Sequence, residues 1–354
     1  MAELPKVEHL GAWTFCHGGN RNQHERLNMD RLRTVTIVIL LVFVIFCFSL
    51  PNTTFAITVA GTNPDDPMYT SNFPFSFAGV AKIDIVVPLP SPPNPPGSTT
   101  QYHGTGALLN TPSDPGRYVL TAAHIFYNNV GQPLNITETR VTFYGSPITF
   151  QGAQNIIHPS WDGNKNHGND IAIIKLASPA TGITGYDIHR DNNSGLGQVA
   201  TIVGYGWKGT GALGWVNQTG GTLRWGQNKF DVTVGNIPGY PWAYDFDDGT
   251  AAHNTFAVWA SPPNNDLGQG LSEVMIAEGD SGGPSFLGNL IAGIHSFGFR
   301  KDSDSTHPAT DIDGLLNASF GELGVDTRTA FYQNWIDQQV QVQVPRPPSN
   351  LRIE

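Results

Sequence analysis

The stretch EGDSGGPSF, residues 278–286, places acids, a serine hydroxyl, three glycines and a proline in close succession. Glycine at 279, 282 and 283 allows backbone angles that other residues avoid, and Pro284 fixes the direction in which the chain leaves. The stretch therefore predicts a sharp, rigid turn with Ser281 at its tip. A serine hydroxyl is a weak nucleophile at neutral pH, so such a turn becomes reactive only if a base and an orienting acid lie elsewhere in the chain.

Two other stretches supply a candidate base and a candidate acid. VLTAAHIF, residues 119–126, is an apolar strand that runs into small residues and then His124. NDIAIIKL, residues 169–176, places Asp170 before an apolar run that predicts a buried strand. The order His, Asp, Ser is that of chymotrypsin-type proteases and differs from the order in subtilisins and α/β-hydrolases.

With these motifs the chain resembles the trypsin/chymotrypsin-like serine endopeptidases. The resemblance rests on TAAH (121–124), NDIAIIKL (169–176) and GDSGGP (279–284). Weaker similarity is found in GTGALL, VGYGW, AGIHSFG and GVDTRTAFYQNWI. Because all these motifs follow the family's order between residues 57 and 340, each lies in the context that the family requires.

The resemblance implies an all-β fold of two six-stranded antiparallel Greek-key β-barrels with a short C-terminal helix. The protease domain is expected over residues 57–343, with the first barrel at 57–193, the second at 194–327, the helix at 328–341 and a polar tail at 344–354. The 40 glycines, 26 prolines and 14% charged residues fit short strands joined by turns.

Two segments have local predictions of their own. In the C-terminal helix, Phe331, Trp335, Ile336 and Val340 fall on one face by their spacing and are expected to pack against the second barrel. The proline-rich stretch PLPSPPNPPGS, residues 88–98, predicts an extended surface loop inside the first barrel.

By resemblance, His124, Asp170 and Ser281 form a catalytic triad. His124 would take the proton of Ser281 as its oxygen attacks a peptide carbonyl, Asp170 would orient the imidazole, and an acyl-enzyme would follow. The backbone amides of Gly279 and Ser281 would form the oxyanion hole. The resemblance implies no metal and no organic cofactor.

The specificity pocket is expected, again by resemblance, from Met275, Glu278, His295, Ser296, Phe297, Gly298 and Gly324. Met275 stands where trypsins carry an acid, and the glycines leave room for a large apolar side chain. His295 matches a position at which glutamyl endopeptidases bind an acidic side chain, but it is equally interpreted as packing beneath the pocket. Asp326, near the pocket floor, would instead favour basic side chains.

The N-terminal residues 1–56 predict a leader and signal peptide. Residues 34–50 are apolar and uncharged, and Thr54 and Ala56 place small residues where signal peptidase requires them. A start at Met29 would give a more compact signal peptide. The prediction is a secreted protein, extracellular or periplasmic; the alternative is an uncleaved segment that anchors the protease in a membrane.

Cleavage after Ala56 would free Ile57. In the family a freed apolar N-terminus pairs with the aspartate before the nucleophile, here Asp280, and this pair holds the oxyanion hole in place. Signal-peptide removal is therefore expected to activate the enzyme. The alternative is a short propeptide that ends before Phe75.

Cysteine use and charge limit the compartment and the partners. Cys16 and Cys47 both precede Ala56, so the predicted mature domain is cysteine-free and resembles bacterial-type rather than disulfide-rich animal members of the family. The formal net charge of −10 gives no sign of a nucleic-acid partner. We expect a polypeptide substrate, no stable membrane association after cleavage, and a monomer.

DFDDGT, residues 245–250, is interpreted as an acidic turn, and calcium binding is left open.

Two other function classes are weighed. A protease-like binding module without catalysis usually lacks one triad residue, whereas this sequence keeps all three. An esterase or acyltransferase with the same triad normally carries a G-x-S-x-G elbow in the order Ser, acid, His, which this chain lacks. The sequence favours the endopeptidase.

Overall fold

A computed structural model describes residues 57–340 of the protein. The predicted leader, signal segment and cleavage site, and the polar tail from residue 344, lie outside the described residues. The helices are α1 Pro67–Thr70, α2 Thr255–Trp259 and α3 Thr329–Val340, with short 3₁₀ turns at His124–Phe126, Lys165–His167 and Gly270–Ser272. The strands are β1 Thr58–Val59, β2 Val80–Pro88, β3 Thr99–Leu108, β4 Tyr118–Thr121, β5 Glu138–Phe143, β6 Thr149–Ile157, β7 Ala172–Leu176, β8 Val199–Gly204, β9 Gly209–Thr210, β10 Gly214–Trp215, β11 Arg224–Lys229, β12 Val232–Thr233, β13 Trp242–Asp245, β14 Val274–Met275, β15 Pro284–Leu287, β16 Leu290–Phe299 and β17 Leu323–Arg328.

Strands β2 to β7 form a closed antiparallel barrel in the order β2-β3-β4-β7-β6-β5. The alternating burial along β5 shows how every second side chain enters the barrel core. The proline-rich segment between β2 and β3 is a largely exposed connection, as its composition predicts. The end of β4 lies beside the start of β7, with Thr121 opposite Ala172. This pairing brings the turn after β4 close to the residue that precedes β7.

The second half of the domain is a seven-stranded sheet in the order β11-β8-β15-β16-β17-β13-β12. The predicted mostly-β fold with a six-stranded barrel is confirmed, and the second barrel has an added strand and is open. Among the described strands β12 pairs only with β13 and β11 only with β8, so the sheet ends at these two strands. A separate four-stranded sheet, β10-β9-β1-β14, joins the N-terminal strand to the strand that contains Met275.

The C-terminal helix α3 packs through Trp335, Ile336 and Val340, as predicted, but not through Phe331. Ile336 is buried as expected, but Phe331 is 46% exposed and Tyr332 is buried in its place. The Tyr332 hydroxyl accepts a hydrogen bond from the Asn169 amide at 2.9 Å, which draws this ring inward. Among residues 57–340, no helix has both the length and the apolar composition to cross a membrane.

A group of buried acids lies beside the second sheet. Burial, followed by the charge of Asp245, raises the pKa of Asp247 to about 9. Burial also raises the pKa of Glu273 to about 8. Asp247 and Glu273 are in contact, since the Asp247 amide donates to Glu273 Oε1 at 3.1 Å.

Because of these buried acids, we expect the free energy of unfolding to fall as the pH rises. Their pKa values are raised in the folded state, so the folded protein holds protons that the unfolded chain releases near pH 4. The stabilisation is complete below that pH and is lost between about pH 4 and pH 9. We expect a lower Tm at pH 9 than at pH 5 for Ser281→Ala protein, which avoids self-digestion, and a flatter profile for Asp247→Asn. A Tm that increased over this range would contradict the prediction.

Candidate active site

The three predicted triad residues lie together between the barrel and the second sheet. His124 begins the 3₁₀ turn after β4, Asp170 precedes β7 and Ser281 precedes β15. His124 Nδ1 lies 2.7 Å from Asp170 Oδ2, and His124 Nε2 lies 2.7 Å from Ser281 Oγ. The imidazole therefore connects a carboxylate to a hydroxyl by hydrogen bonds.

Asp170 is buried and its carboxylate is fully bonded. Its Oδ1 accepts the His124 backbone amide at 2.8 Å, and its Oδ2 also accepts the Ser296 hydroxyl. Burial by itself would raise the pKa of Asp170, but His124 and the Ser296 hydroxyl outweigh burial, so that the pKa lies below its ordinary value. Asp170 is thus held ionised and fixed in orientation. Sequence reasoning placed Ser296 in the pocket and missed this contact with the acid.

The turn that carries Ser281 fits closely against the barrel. Gly282 has φ +83°, and a Cβ on it would lie 2.0 Å from Thr121 Oγ1, so only glycine fits. The Thr105 hydroxyl donates to the Gly279 carbonyl at 3.1 Å. Within residues 57–340 the amides of Gly279 and Ser281 have no backbone acceptor, which leaves both N–H groups available to an oxyanion. Thr105 lies inside the GTGALL motif, and its role was not predicted.

A cavity of about 170 Å³ opens beside Ser281. Six of the predicted pocket residues line it: Met275, Glu278, His295, Ser296, Phe297 and Gly298. Gly324 does not line the cavity. The Tyr244 ring packs against it, since a Cβ added at Gly324 would lie 2.4 Å from that ring. Three residues of a loop before β17, Leu316, Ala318 and Glu322, also line the cavity, together with Lys165, Trp215, Ile276 and Ala277. The resemblance did not identify the three loop residues, since the loop has no motif of the family.

His295 and Asp326 are bonded to each other and to the sheet. His295 Nδ1 lies 3.1 Å from Asp326 Oδ1, and Nε2 lies 3.3 Å from the Val203 carbonyl. Both side chains are fully buried, and Asp326 also accepts the Ser285 hydroxyl. These contacts favour the interpretation that His295 packs beneath the pocket, and they place the Asp326 carboxylate behind the wall.

Ile57 and Asp280 are both fully buried. The Asp280 carboxylate accepts the amides of Gly206 and Ala277, each at 2.7 Å. Burial raises the pKa of Asp280 to about 6, although these two amides oppose the shift. Ile57 has φ +64°, an unfavourable conformation for a β-branched residue. Because the chain is continuous through Ile57, it carries no free ammonium there, and the pair with Asp280 stays a prediction.

A second cleft, of about 530 Å³, opens on the other side of His124 and Ser281. Tyr102, His103, Tyr127 and Glu278 are among the side chains that line it. The two clefts meet at the nucleophile, so an extended chain can lie across it from one to the other.

Comparison with known proteins gives consistent matches. The sequence matches the Trypsin family model over residues 97–227. It is similar to cationic trypsin-3 of Rattus norvegicus, with 28% identity across 68% of this chain and 81% of that protein. It is also similar to trypsin of Squalus acanthias, with 25% identity across 68% of this chain and 86% of that protein. Among solved structures, HL collagenase matches with a TM-score of 0.48 and 18% identity, over 75% of this chain and 95% of that one.

The matched region contains both His124 and Asp170. The trypsin relatives align with about two thirds of the chain. Strands β2 to β7 close into a six-stranded barrel. These matches support a trypsin/chymotrypsin-like serine endopeptidase family for this chain.

Proposed function

We propose that this protein is a secreted serine endopeptidase that hydrolyses peptide bonds through His124, Asp170 and Ser281. The observation that carries the proposal is the continuous hydrogen-bonded arrangement from Asp170 to His124 to Ser281, with 2.7 Å at each of its two side-chain contacts. Ordinary surface residues have no reason to adopt such an arrangement, whereas a serine nucleophile requires it.

The chemistry follows from the positions of the protons. Ser281 Oγ attacks the peptide carbonyl while His124 Nε2 accepts the hydroxyl proton. His124 then donates that proton to the leaving amine, which leaves an acyl group on Ser281. A water molecule then attacks the acyl carbonyl while His124 Nε2 accepts its proton. His124 donates that proton to Ser281 Oγ as the acyl group leaves. Asp170 keeps Nδ1 protonated and stabilises the imidazolium that forms.

The amides of Gly279 and Ser281 are proposed to bind the oxyanion of each tetrahedral intermediate. Neither amide has a backbone acceptor within the described residues. The Trp207 amide donates to the Glu278 carbonyl at 2.6 Å and the Gly283 amide donates to the Asp280 carbonyl at 2.8 Å, which fixes the two peptide planes that contain these amides. A donor at this position contributes about 3–4 kcal/mol to transition-state stabilisation.

We propose an apolar preference for the residue that precedes the cut. The cavity wall contains Met275, Phe297, Leu316 and Ala318, while the polar groups of His295 are used inside the sheet. His295 is therefore not available to an acidic side chain of the substrate, and Asp326 is not available to a basic one.

Gly298 gives a direct test of this pocket. A Cβ at this position would lie 3.5 Å from Met275 Cε, so a β-branched side chain fits the wall but extends across the cavity. We expect Gly298→Val to lower kcat/KM about 100-fold for substrates with phenylalanine before the cut, and to change it less than about 3-fold for alanine. Equal losses for both substrates would contradict this location of the pocket.

Activation is proposed to follow removal of the residues before Ile57. Cleavage ends the unfavourable φ of Ile57, because φ is defined by the preceding carbonyl. It also creates an ammonium group that can pair with the buried Asp280 carboxylate. Breaking such a buried pair costs about 3–5 kcal/mol, which corresponds to roughly 10²–10⁴ in the population of the active form.

We therefore expect secreted protein to begin ITVAG at Ile57. A form with two extra residues before Ile57 should have a kcat/KM lower by about 10²-fold or more. Two extra residues at the C-terminus are the matched control. Secreted, active protein with another N-terminus, or full activity of the extended form, would refute this mechanism.

Labelling and peptide cleavage together test the proposed function. A serine-directed fluorophosphonate should modify Ser281, as read by mass spectrometry of the labelled peptide. A mixed peptide library should be cut by the secreted protein and left intact by Ser281→Ala. Folded protein with Ile57 free that neither labels nor cuts would support the binding module, and recovery of the protein only in membranes would support an uncleaved anchor. Gel filtration tests the expected monomer.

A further inference from the structure

The loop before β17, residues 311–322, has the sequence DIDGLLNASFGE. Oxygen-bearing side chains stand at its positions 1, 3, 7, 9 and 12: Asp311, Asp313, Asn317, Ser319 and Glu322. Calcium loops of twelve residues draw ligands from positions 1, 3, 5, 7, 9 and 12 and end on a glutamate. This loop differs from them at positions 5 and 6, where Leu315 and Leu316 replace a ligand and a glycine. The loop lies outside the triad and belongs to none of the family motifs found in the sequence.

Three buried oxygens of this loop have no hydrogen-bond partner: Asp311 Oδ2, Asn317 Oδ1 and Glu322 Oε2. The Asp311 side chain is 0% exposed, and Glu322 is 1% exposed. A buried carboxylate oxygen without a donor is unfavourable by several kcal/mol in a finished structure. The loop is thus short of positive charge or of donors on its inner side.

The two buried carboxyl groups lie side by side. Ser319 Oγ lies 3.1 Å from Asp311 Oδ1 and 3.3 Å from Glu322 Oε1. One hydroxyl has one proton and can donate to only one of them at a time. Glu322 Oε1 also accepts the backbone amides of Asn317 at 2.7 Å and of Ser319 at 3.3 Å, so Oε2 is the Glu322 oxygen without a donor. Arg300 approaches this loop, but its Nη1 is 3.9 Å from Asp311 Oδ2 and it also pairs with Asp302.

We propose that residues 311–322 bind a calcium ion through Asp311, Asn317 and Glu322. Among residues 57–340 no group of three or more acidic, histidine or cysteine side chains is placed so that it could hold a metal ion. The ligands here would be two carboxylates with neutral amide, backbone and water oxygens, a set that calcium accepts because it takes six to eight oxygens in flexible geometry. Magnesium requires stricter octahedral geometry and is expected to bind more weakly.

The loop connects this site to the substrate pocket. Leu316, Ala318 and Glu322 line the cavity beside Ser281. The Asn317 carbonyl accepts the Trp215 amide at 2.8 Å, which ties the loop to the four-stranded sheet that contains β1 and β14. A bound cation would therefore hold one wall of the pocket, and this coupling rests on the proposed function.

Cation binding is measured on Ser281→Ala protein, so the result does not depend on catalysis. Calcium titrated by calorimetry should bind with a Kd of about 10⁻⁴ to 10⁻³ M. Asp311→Asn and Glu322→Gln should each weaken binding at least 10-fold. Asp304→Asn and Asp248→Asn, which remove the same charge from a nearby exposed loop and from the 245–250 turn, should leave it unchanged. Absence of binding at about 10 mM calcium, or loss of binding only in Asp248→Asn, would overturn the proposal.

A second measurement does not depend on the folding of the acidic variants. Terbium replaces calcium and emits when a nearby tryptophan transfers energy to it, and Trp215 is bonded to the loop. Excitation of tryptophan in Ser281→Ala protein should give terbium emission that calcium displaces and that Trp215→Phe largely removes. Full emission from Trp215→Phe would place the ion elsewhere and overturn the proposal.

Coupling between the calcium site and the substrate pocket is measured as the effect of calcium on KM of the active enzyme. Saturating calcium should lower KM for a peptide substrate about 3- to 10-fold in wild-type protein and leave KM unchanged in Glu322→Gln. Calcium that binds without changing KM would overturn the coupling to the pocket. An inactive enzyme that still binds calcium would count against the proposed function alone.

Discussion

Replacing Ser281 by alanine is expected to lower kcat for peptide hydrolysis about 10⁶-fold. The variant has no nucleophile, while the amides of Gly279 and Ser281 and the binding clefts stay in place. The remaining rate should come only from substrate binding and oxyanion stabilisation, and KM should change little. The measurement is steady-state hydrolysis of a peptide amide, with the variant assayed at high enzyme concentration.

Ser303→Ala is the matched control, because Ser303 is an exposed loop residue. It should retain wild-type kcat and fluorophosphonate labelling, whereas Ser281→Ala should lose both. Peptide hydrolysis that survives in Ser281→Ala at near the wild-type rate would refute the assignment of the nucleophile. Because alanine is smaller and the turn is held by its glycines, the variant should also keep the wild-type Tm within a few degrees.

Asp170→Asn is expected to lower kcat about 10⁴-fold at neutral pH with an unchanged fold. Asp170 accepts hydrogen bonds from His124 at both carboxylate oxygens, through the backbone amide and through Nδ1. Asparagine presents an NH₂ group to one of these donors, so it favours the tautomer with the proton on Nε2. That tautomer donates toward Ser281 and cannot act as its base.

The NMR signal of the imidazole N–H gives a readout that a purely structural role would not affect. The proton should be found on Nδ1 in wild-type protein and on Nε2 in Asp170→Asn. Asp337→Asn, which removes a carboxylate that pairs with Arg190 at the surface, should change neither kcat nor the tautomer. An Asp170→Asn enzyme with more than about a tenth of wild-type kcat would contradict the role given to Asp170.

The chemistry-bearing residues of this protein could be predicted from sequence because short motifs impose local geometry. GDSGGP requires glycines wherever the turn meets the barrel, as the 2.0 Å approach at Gly282 illustrates. TAAH and NDIAIIKL flank strands whose pairing is fixed by apolar character, and this pairing brings His124 beside Asp170. The order of the three motifs then indicated the fold class.

Other features depended on contacts between distant parts of the chain. Ser296 contacts Asp170 across 126 residues of sequence, and no local pattern indicates such a bond. His295 could be interpreted as a specificity residue or as packing until its partners Asp326 and Val203 were known. The same holds for Phe331 and Tyr332, which share a helix and differ in burial only because of what faces them.

The sequence alone thus established the all-β class and predicted the proposed nucleophile, base and acid, since these follow from turn chemistry and from apolar patterns along single strands. Folding was needed to show which side chains line the pocket, that the second sheet is open, and that the buried carboxyl groups of Asp311 and Glu322 share the Ser319 hydroxyl. Burial and hydrogen-bond partnership are properties of pairs brought together by folding, and a linear pattern does not specify them.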